Sequence, residues 1–527
     1  MSALDPNELR RAVADVTRAD TALVETHISW VVLSGGDVYK VKKPVDLGFL
    51  DFTTAEARAR ACAAEVSLNQ RLSHDVYKGV VPLVRRPDGA LALGGEGAIV
   101  DQAVHMRRLD DACSAEALVA AGRLELRHVR AIARTLADFH ARSQALPAAD
   151  DLAGVDAVRV NVEENFAQTA ADLDRFVSAT EAEEIRAFQR RFLDENAALF
   201  AARAASGRVR DGHGDLRLEH VYLEGDSVTV IDCIEFSDRF RYGDVAADVA
   251  FLAMDLDWHG RVDLGEILLA HYAEATNDFD LYAVVDFYAS YRAFVRGKIA
   301  AFGARAAEVG SERERTAREQ ARRYFRLALS ASRRSVLQPS VVAVAGLIGV
   351  GKSTVAAHLT EAMSAPVVCA DRTRKAMLGL AAEAHAEGGT FGGAYDLGFT
   401  ARVYDEVFRR AGVVLASGRP VIVDASFRSR AMRARARDLA RAAGVPFRLV
   451  ECRAPDEVCL ARLAARATGP SVSDGRAEIF EDFKRSFEPI TELALDEHLV
   501  LETQLPLEET RAALDEAVGA WPRGLAG

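Results

Sequence analysis

No run of about 18 consecutive apolar residues occurs in this sequence of 527 residues, and the opening segment, Met1 to Val16, is charged and lacks the apolar centre of a secretion signal. The reading is therefore a cytoplasmic protein with no membrane span. Cysteine is sparse: Cys62, Cys113, Cys233, Cys369, Cys452 and Cys459 form no CxxC pair and have no histidines at metal-ligand spacing. That pattern argues against a zinc site and against a disulfide framework, and buried thiols are expected instead. Internal repeats and low-complexity tracts are also missing, apart from Ala/Arg-rich helices, so nothing suggests a solenoid. Basic charge is in deficit. With 66 Lys and Arg against 78 Asp and Glu, the formal net charge is −12, which disfavours a general nucleic-acid binder, because phosphate-backbone affinity comes from clustered Lys and Arg. Small molecules are the expected partners; no motif specifies an oligomeric state.

What is present is an ordinary globular composition, 50% apolar and 27% charged, in a chain too long for one hydrophobic core. Residues up to about 104 alternate in strand fashion (Ile28 to Leu33, Val38 to Val41, Val80 to Val84, Ala98 to Val104) around one helix, Thr54 to Leu72. Residues 115 to 205 are mostly helical, and Ala283 to Arg334 also reads as helical. The chain then breaks at Ser335 to Ser340, and an apolar run, Val341 to Ala345, looks like the first buried strand of a new α/β unit. The expected domains are a small lobe, 1–105, a helical large lobe, 106–335, and a P-loop domain, 336–527. The fold class is an α+β bilobal kinase-like fold followed by an α/β P-loop NTPase domain with a mainly parallel sheet.

The stretch Gly346-Leu-Ile-Gly349-Val-Gly351-Lys352-Ser353-Thr354 matches G-x-x-x-x-G-K-[ST] directly after a predicted strand and before a predicted helix. Glycines let the backbone curl so that its N–H groups surround phosphates, and the helix offers its positive end to them. Lys352 would reach the β/γ-phosphates and Ser353 would supply a hydroxyl to Mg²⁺. Val421-Ile-Val-Asp424 is an apolar strand ending in a carboxylate, a second Mg²⁺ group. Val367 to Asp371 is an earlier strand ending in Asp371-Arg372, where Asp371 is either the acceptor of the substrate proton or the N-cap of a helix Arg374 to Leu380. Arg462 and Arg466 stand one turn apart on a helix Asp456 to Ala467, ahead of a Gly/Pro/Ser loop, Gly469 to Gly475, that would act as a lid. They either clamp the transferring phosphoryl group or form a solvated face. Together these features, over about Val341 to Pro522, resemble the P-loop kinases that include gluconate kinases, zeta-type kinases and polynucleotide kinases.

A second constellation lies upstream. His213-Gly-Asp215-Leu-Arg-Leu-Glu-His220 is followed by Val228-Thr-Val-Ile-Asp232-Cys-Ile-Glu235, so two carboxylates are held one hairpin apart. Such a pair can divide the work, one accepting a hydroxyl proton and the other binding Mg²⁺. This pair is similar to the H-G-D-x-x-x-x-N and I-D motifs of the aminoglycoside phosphotransferase and choline kinase group. The resemblance implies that Asp215 is the catalytic base and Asp232 a metal ligand. It also places His220 where the group has a metal-binding Asn, and imidazole is a poorer Mg²⁺ ligand than an amide oxygen; Glu235 could share the metal. In Arg241-Tyr-Gly-Asp244-Val-Ala-Ala-Asp248, the same resemblance has Asp244 capping a helix and Asp248 bracing the catalytic loop.

In the small lobe, Val38-Tyr-Lys40-Val-Lys42-Lys43-Pro44 is a strand whose Lys40 and Lys42 share one face, with Glu65 on the next helix. A strand lysine tied by a helix glutamate and aimed at phosphates is the kinase arrangement, and spacing does not choose between the two lysines. The whole chain resembles proteins described as bifunctional aminoglycoside phosphotransferase/ATP-binding proteins. The expected function is phosphotransfer from ATP, with Mg²⁺, to the hydroxyl of a small molecule at two tandem nucleotide sites. The alternatives are an N-terminal pseudokinase or metabolite-binding module that regulates the P-loop kinase, and a C-terminal polynucleotide kinase.

Overall fold

The computed structural model describes residues 4–48, 50–225, 227–333, 337–384, 396–466 and 471–519. Arg334 at the end of one expected helix, Ser335 and Val336 of the expected break, Ala467 at the end of another expected helix, Gly469 and Pro470 of the expected lid, and Pro522 lie outside them.

Alternating burial builds the first sheet. Strands β1 (Thr21–Glu25), β2 (Ser29–Ser34), β3 (Asp37–Lys42), β4 (Tyr77–Arg85), β5 (Leu91–Leu93) and β6 (Ala98–Arg107) form a six-stranded antiparallel sheet in the order β1-β2-β3-β6-β4-β5. Val32, Val41 and Ala103 pack on one side with Leu9 and Val13 of the helix Pro6–Thr17. The helix Ala55–Asn69 starts where Thr54 accepts the Ala57 N–H, and carries Glu65, fully buried. Helices dominate from Ala115 to Ala205. Two hairpin-like pairs follow, β7 (Val209–Asp211) with β10 (Tyr242–Asp244) and β8 (Val221–Glu224) with β9 (Ser227–Val230).

The helical stretch read from Ala283 to Arg334 is two helices, Val285–Ala306 and Glu312–Arg333. The chain turns between them at Gly310, whose φ is 80°. The charged sequence on both sides hides this turn from periodicity, since no apolar stripe changes phase there.

The last sheet is fully parallel: β11 (Val341–Ala345), β12 (Val367–Cys369), β13 (Val421–Asp424), β14 (Phe447–Arg453) and β15 (His498–Glu502), in the order β12-β13-β11-β14-β15. Every residue of β11 is buried, as expected of a central strand covered on both faces.

By compactness the chain divides into one unit of residues 1–170 and 190–255 and another of residues 171–189 and 256–527. The second unit therefore joins the P-loop sheet to helices that precede residue 335. Arg419, 5% exposed, supplies part of the reason: its guanidinium donates to Glu266 (2.6 and 2.9 Å) and Asp286 (2.8 and 3.1 Å), both buried. Arg410 reaches Asn277 at 2.7 Å, and Arg372 pairs with Glu274 at 3.1 Å. Among the described residues no helix is long and apolar enough to cross a membrane.

Candidate functional sites

The first site gathers at β3, the helix Ala55–Asn69 and the loops around β8 and β9. Lys40 Nζ lies 2.9 Å from Glu65 and 2.6 Å from Asp232, while Lys42, fully buried, is wedged between Glu65 at 2.5 Å and Glu235. Alternation puts both ammonium groups on one side of the strand, but only Lys40 meets Asp232. Burial alone would lift the Asp232 carboxyl, yet Lys40 and His220 outweigh it and hold the group well below its ordinary value. The same balance, with Lys40 and Lys42 prevailing over burial, lowers Glu65, whereas burial prevails at Glu235 and raises it. Asp232 itself has a left-handed φ of 66°, a conformation aspartate tolerates better than most residues.

The loop carrying Asp215 rests on Asp248, whose carboxylate accepts the N–H of His213 (2.7 Å) and of Gly214 (2.9 Å). A Cβ at Gly212 would come within 2.6 Å of the same carboxylate, so only glycine allows the loop to lie this close. Asp244 accepts the Ala246 N–H at 2.9 Å at the start of the helix Val245–Trp258. Asp255 of that helix accepts Leu218 N–H.

His220 donates from Nδ1 to the Asp215 carbonyl at 2.8 Å, because a carbonyl only accepts. That fixes Nε2 as the lone-pair nitrogen, 3.3 Å from an Arg217 NH2 and 3.6 Å from Asp232. Burial, helped by Arg217, lowers the imidazole to about 4, so the ring is neutral at ordinary pH. Arg217 also donates to the Asp215 carboxylate at 3.2 Å. Sequence reasoning passed over Arg217, although its place two residues after Asp215 was the available signal.

The second site lies along the carboxyl ends of the parallel strands, where α/β sheets hold ligands. Gly346, Gly349 and Gly351 have φ of 140°, 76° and 100°. A Cβ at Gly349 would sit 2.7 Å from the Cys459 carbonyl and 2.9 Å from Leu463, so the loop is pressed against the helix Asp456–Arg466. Lys352 Nζ donates to the carbonyls of Gly346 (3.0 Å) and Leu347 (2.8 Å), across the mouth of the loop. Ser353 Oγ donates to Asp424 at 3.0 Å. Burial raises Asp424, partly offset by Lys352 and Ser353 and reinforced by Asp371 and Glu274.

A cavity of about 850 Å³ opens here, and Gly349, Gly351, Lys352, Ser353, Thr354, Asp371, Asp424, Arg462 and Arg466 all line it. Gly346 lies at the root of the loop instead, against the Cys452 carbonyl. Asp371 does not cap a helix Arg374 to Leu380: the helix is Ala370–Met377 with Cys369 at the N-cap position, which leaves Asp371 in its first turn. Arg462 is no solvated arginine, since it donates to Val350 O (3.1 Å) and Thr503 O (2.6 Å) and so ties the phosphate loop to the end of β15. Among the described residues no group of three or more His, Cys, Asp or Glu could hold a metal by itself. A Mg²⁺ ion at either site would complete its shell with water and phosphate oxygens, its usual habit in nucleotide sites.

Residues 47–288 match the phosphotransferase enzyme family and residues 341–490 an AAA domain. Among solved structures, a choline/ethanolamine kinase family protein from Mesorhizobium loti is 12% identical with a TM-score of 0.38, covering 62% of this chain and 98% of that one. A gluconokinase from Sinorhizobium meliloti is 19% identical with a TM-score of 0.27, covering 35% of this chain and 94% of that one. Uncharacterized protein Rv2004c of Mycobacterium tuberculosis is 36% identical over 458 residues, 86% of this chain and 88% of its own length. In this chain a kinase-type phosphotransferase segment is followed by a P-loop kinase domain, and the chain belongs to the same family as that mycobacterial protein.

Proposed function

We propose that the protein transfers phosphoryl groups from ATP, with Mg²⁺, to the hydroxyl of a small molecule, and that it does so at two separate nucleotide sites. The observation that carries this reading is that each site joins a phosphate-directed lysine to a metal-directed carboxylate: Lys40 with Asp232, and Lys352 with Ser353 and Asp424. In the P-loop site Ser353 and Asp424 would hold Mg²⁺, which when bound neutralises charge on the phosphate oxygens. Lys352 and the loop N–H groups orient the phosphates, Arg462 and Arg466 stabilise the moving charge, and Asp371 takes the proton of the acceptor hydroxyl. The bond from the bridging oxygen to the γ-phosphorus breaks as that to the acceptor oxygen forms, and ADP leaves. In the N-terminal site Lys40 orients phosphates, Asp232 and His220 would hold the metal, and Asp215 takes the proton.

The test is calorimetry with Mg²⁺ and a non-hydrolysable ATP analogue on the wild type, Lys352→Ala and Asp232→Ala. Two sites are expected in the wild type, with a different one lost in each variant. A single site, lost only in Lys352→Ala, would favour the second reading, an N-terminal regulatory module, which the imidazole of His220 at the metal position motivates. His220→Asn is expected to strengthen Mg²⁺-dependent nucleotide binding at the N-terminal site by about tenfold or less, because an amide oxygen suits Mg²⁺ better than an imidazole nitrogen. Unchanged affinity across a Mg²⁺ titration would show that His220 lies outside the metal shell.

A further inference from the structure

Arg71 belongs to none of the motifs, yet it touches three separate stretches of chain that meet at the N-terminal site. It follows the helix Ala55–Asn69, which presents Glu65 to Lys40 and Lys42. Its Nε donates to the Leu68 carbonyl at 2.9 Å, near the end of that helix. Nη1 donates to the Asp211 carbonyl at 3.1 Å and lies 3.2 Å from the Asp211 carboxylate. Nη2 donates to the Gly212 carbonyl at 3.0 Å and to Cys233 Sγ at 3.3 Å. The guanidinium also stands 5.0 Å from the centre of the Phe139 ring.

These contacts fall on the two loops that carry the carboxylates. Asp211 and Gly212 lead directly into His213-Gly214-Asp215, and Cys233 follows Asp232. The second loop is held to the same helix by Asn69, whose Oδ1 accepts the Cys233 N–H at 2.8 Å while its Nδ2 donates to the Glu65 carbonyl at 2.8 Å. From β4, Tyr77 Oη accepts the Asp232 N–H at 3.2 Å. Asp211 also accepts from Arg241 Nε at 2.6 Å, and Arg241 reaches the Ile234 carbonyl at 3.3 Å, so the two loops are bracketed a second time. Asn69 and Tyr77 act on the Asp232 loop; Arg71 adds the Asp215 loop through the same group. A guanidinium is planar and its N–H bonds point in fixed directions, so acceptors gripped by one fork keep a set separation.

We propose that Arg71 is a positioning residue of the N-terminal site, fixing the spacing between the Asp215 loop and the Asp232 loop and tying both to the helix that carries Glu65. The proposal rests on the reading of that site given above, as one that binds nucleotide with Mg²⁺. Arg71 acts through Gly212 and Cys233 rather than on the reacting atoms. A shift of about 1 Å between the loops is enough to spoil a catalytic geometry. Lys40, on β3 and held by Glu65, would still reach phosphate, so the loss of Arg71 falls on the part of nucleotide binding that depends on the metal.

The test uses the full chain carrying Lys352→Ala, so that the N-terminal site is read alone. A non-hydrolysable ATP analogue is titrated by calorimetry with Mg²⁺ and again with EDTA. In Arg71→Met, affinity with Mg²⁺ is expected to fall about tenfold or more, the usual effect of losing a group that orients a metal ligand, whereas affinity in EDTA falls less than about threefold. Arg71→Lys keeps the charge but not the fork, and is expected to stay at least about fivefold weaker than its parent with Mg²⁺. This milder variant carries the test if Arg71→Met fails to fold. Peptides covering residues 211–215 and 231–235 should both exchange amide hydrogens faster in either variant. A loss equal with and without Mg²⁺, full recovery in Arg71→Lys, or faster exchange in one loop only would each overturn the positioning role. Analogue binding absent from the Lys352→Ala parent, or indifferent there to Mg²⁺, would instead overturn the reading of the N-terminal site beneath it.

Discussion

Lys352→Ala, made in an Asp215→Asn background so that the P-loop site is observed alone, is expected to slow ADP formation by about 10²- to 10³-fold, the usual cost of losing one preorganised donor to transition-state charge. The ammonium group lies across the loop mouth on the carbonyls of Gly346 and Leu347, both weak partners compared with a phosphate. Incoming β- and γ-oxygens would take those hydrogen bonds over without any movement of the helix Lys352–Met363, so the group is already placed where charge develops. Because the interaction strengthens as the γ-phosphoryl detaches, the fall should appear mainly in kcat rather than in KM. A variant that turns over at the wild-type rate would remove the P-loop from the chemistry.

Lys42→Met is expected to lower stability by about 3–5 kcal/mol, the range for removing one partner of a buried ion pair. The loss leaves Glu65 and Glu235 facing one another, with Lys40 as their nearest remaining cation. Lys40→Met should cost less stability and more nucleotide affinity, because Lys40 is partly exposed and touches Asp232. Urea midpoints and analogue binding on the two variants separate the roles. The pH dependence has a definite sign. Glu235 is already raised by burial, with Lys42 opposing; without Lys42 it rises further. A carboxyl raised on folding destabilises above its folded pKa and is relieved as pH falls through that value, so Lys42→Met should regain part of its deficit as pH falls through the raised folded pKa of Glu235 toward the ordinary glutamate value. A deficit that deepens on acidification would show that Glu235 is not the group left unpaired.

What the sequence made legible was what local geometry dictates. The phosphate loop needs glycine at fixed offsets and a strand and helix on either side, and β11, β13 and their loops lie where those signals put them. Lys40 and Lys42 could not be separated, since a period of two puts both on one face; only the distance to a carboxylate 192 residues away distinguishes them. Arg462 shows the converse, a spacing that suggested a phosphate clamp on a side chain that the fold also uses to fasten its own loop to Thr503.

The hydrogen bonds from Arg419 to Glu266 and Asp286 bear on ancestry. A P-loop kinase gene joined end to end with a phosphotransferase gene would at first behave as a detachable cassette. Here a guanidinium just before β13 is neutralised by two carboxylates encoded more than 50 residues upstream of the strand that opens the P-loop sheet. A recombination event that cut the reading frame at the apparent seam would strand that charge in a dry interior, so lineages carrying this triad would inherit the two halves together and lose the freedom to exchange them separately.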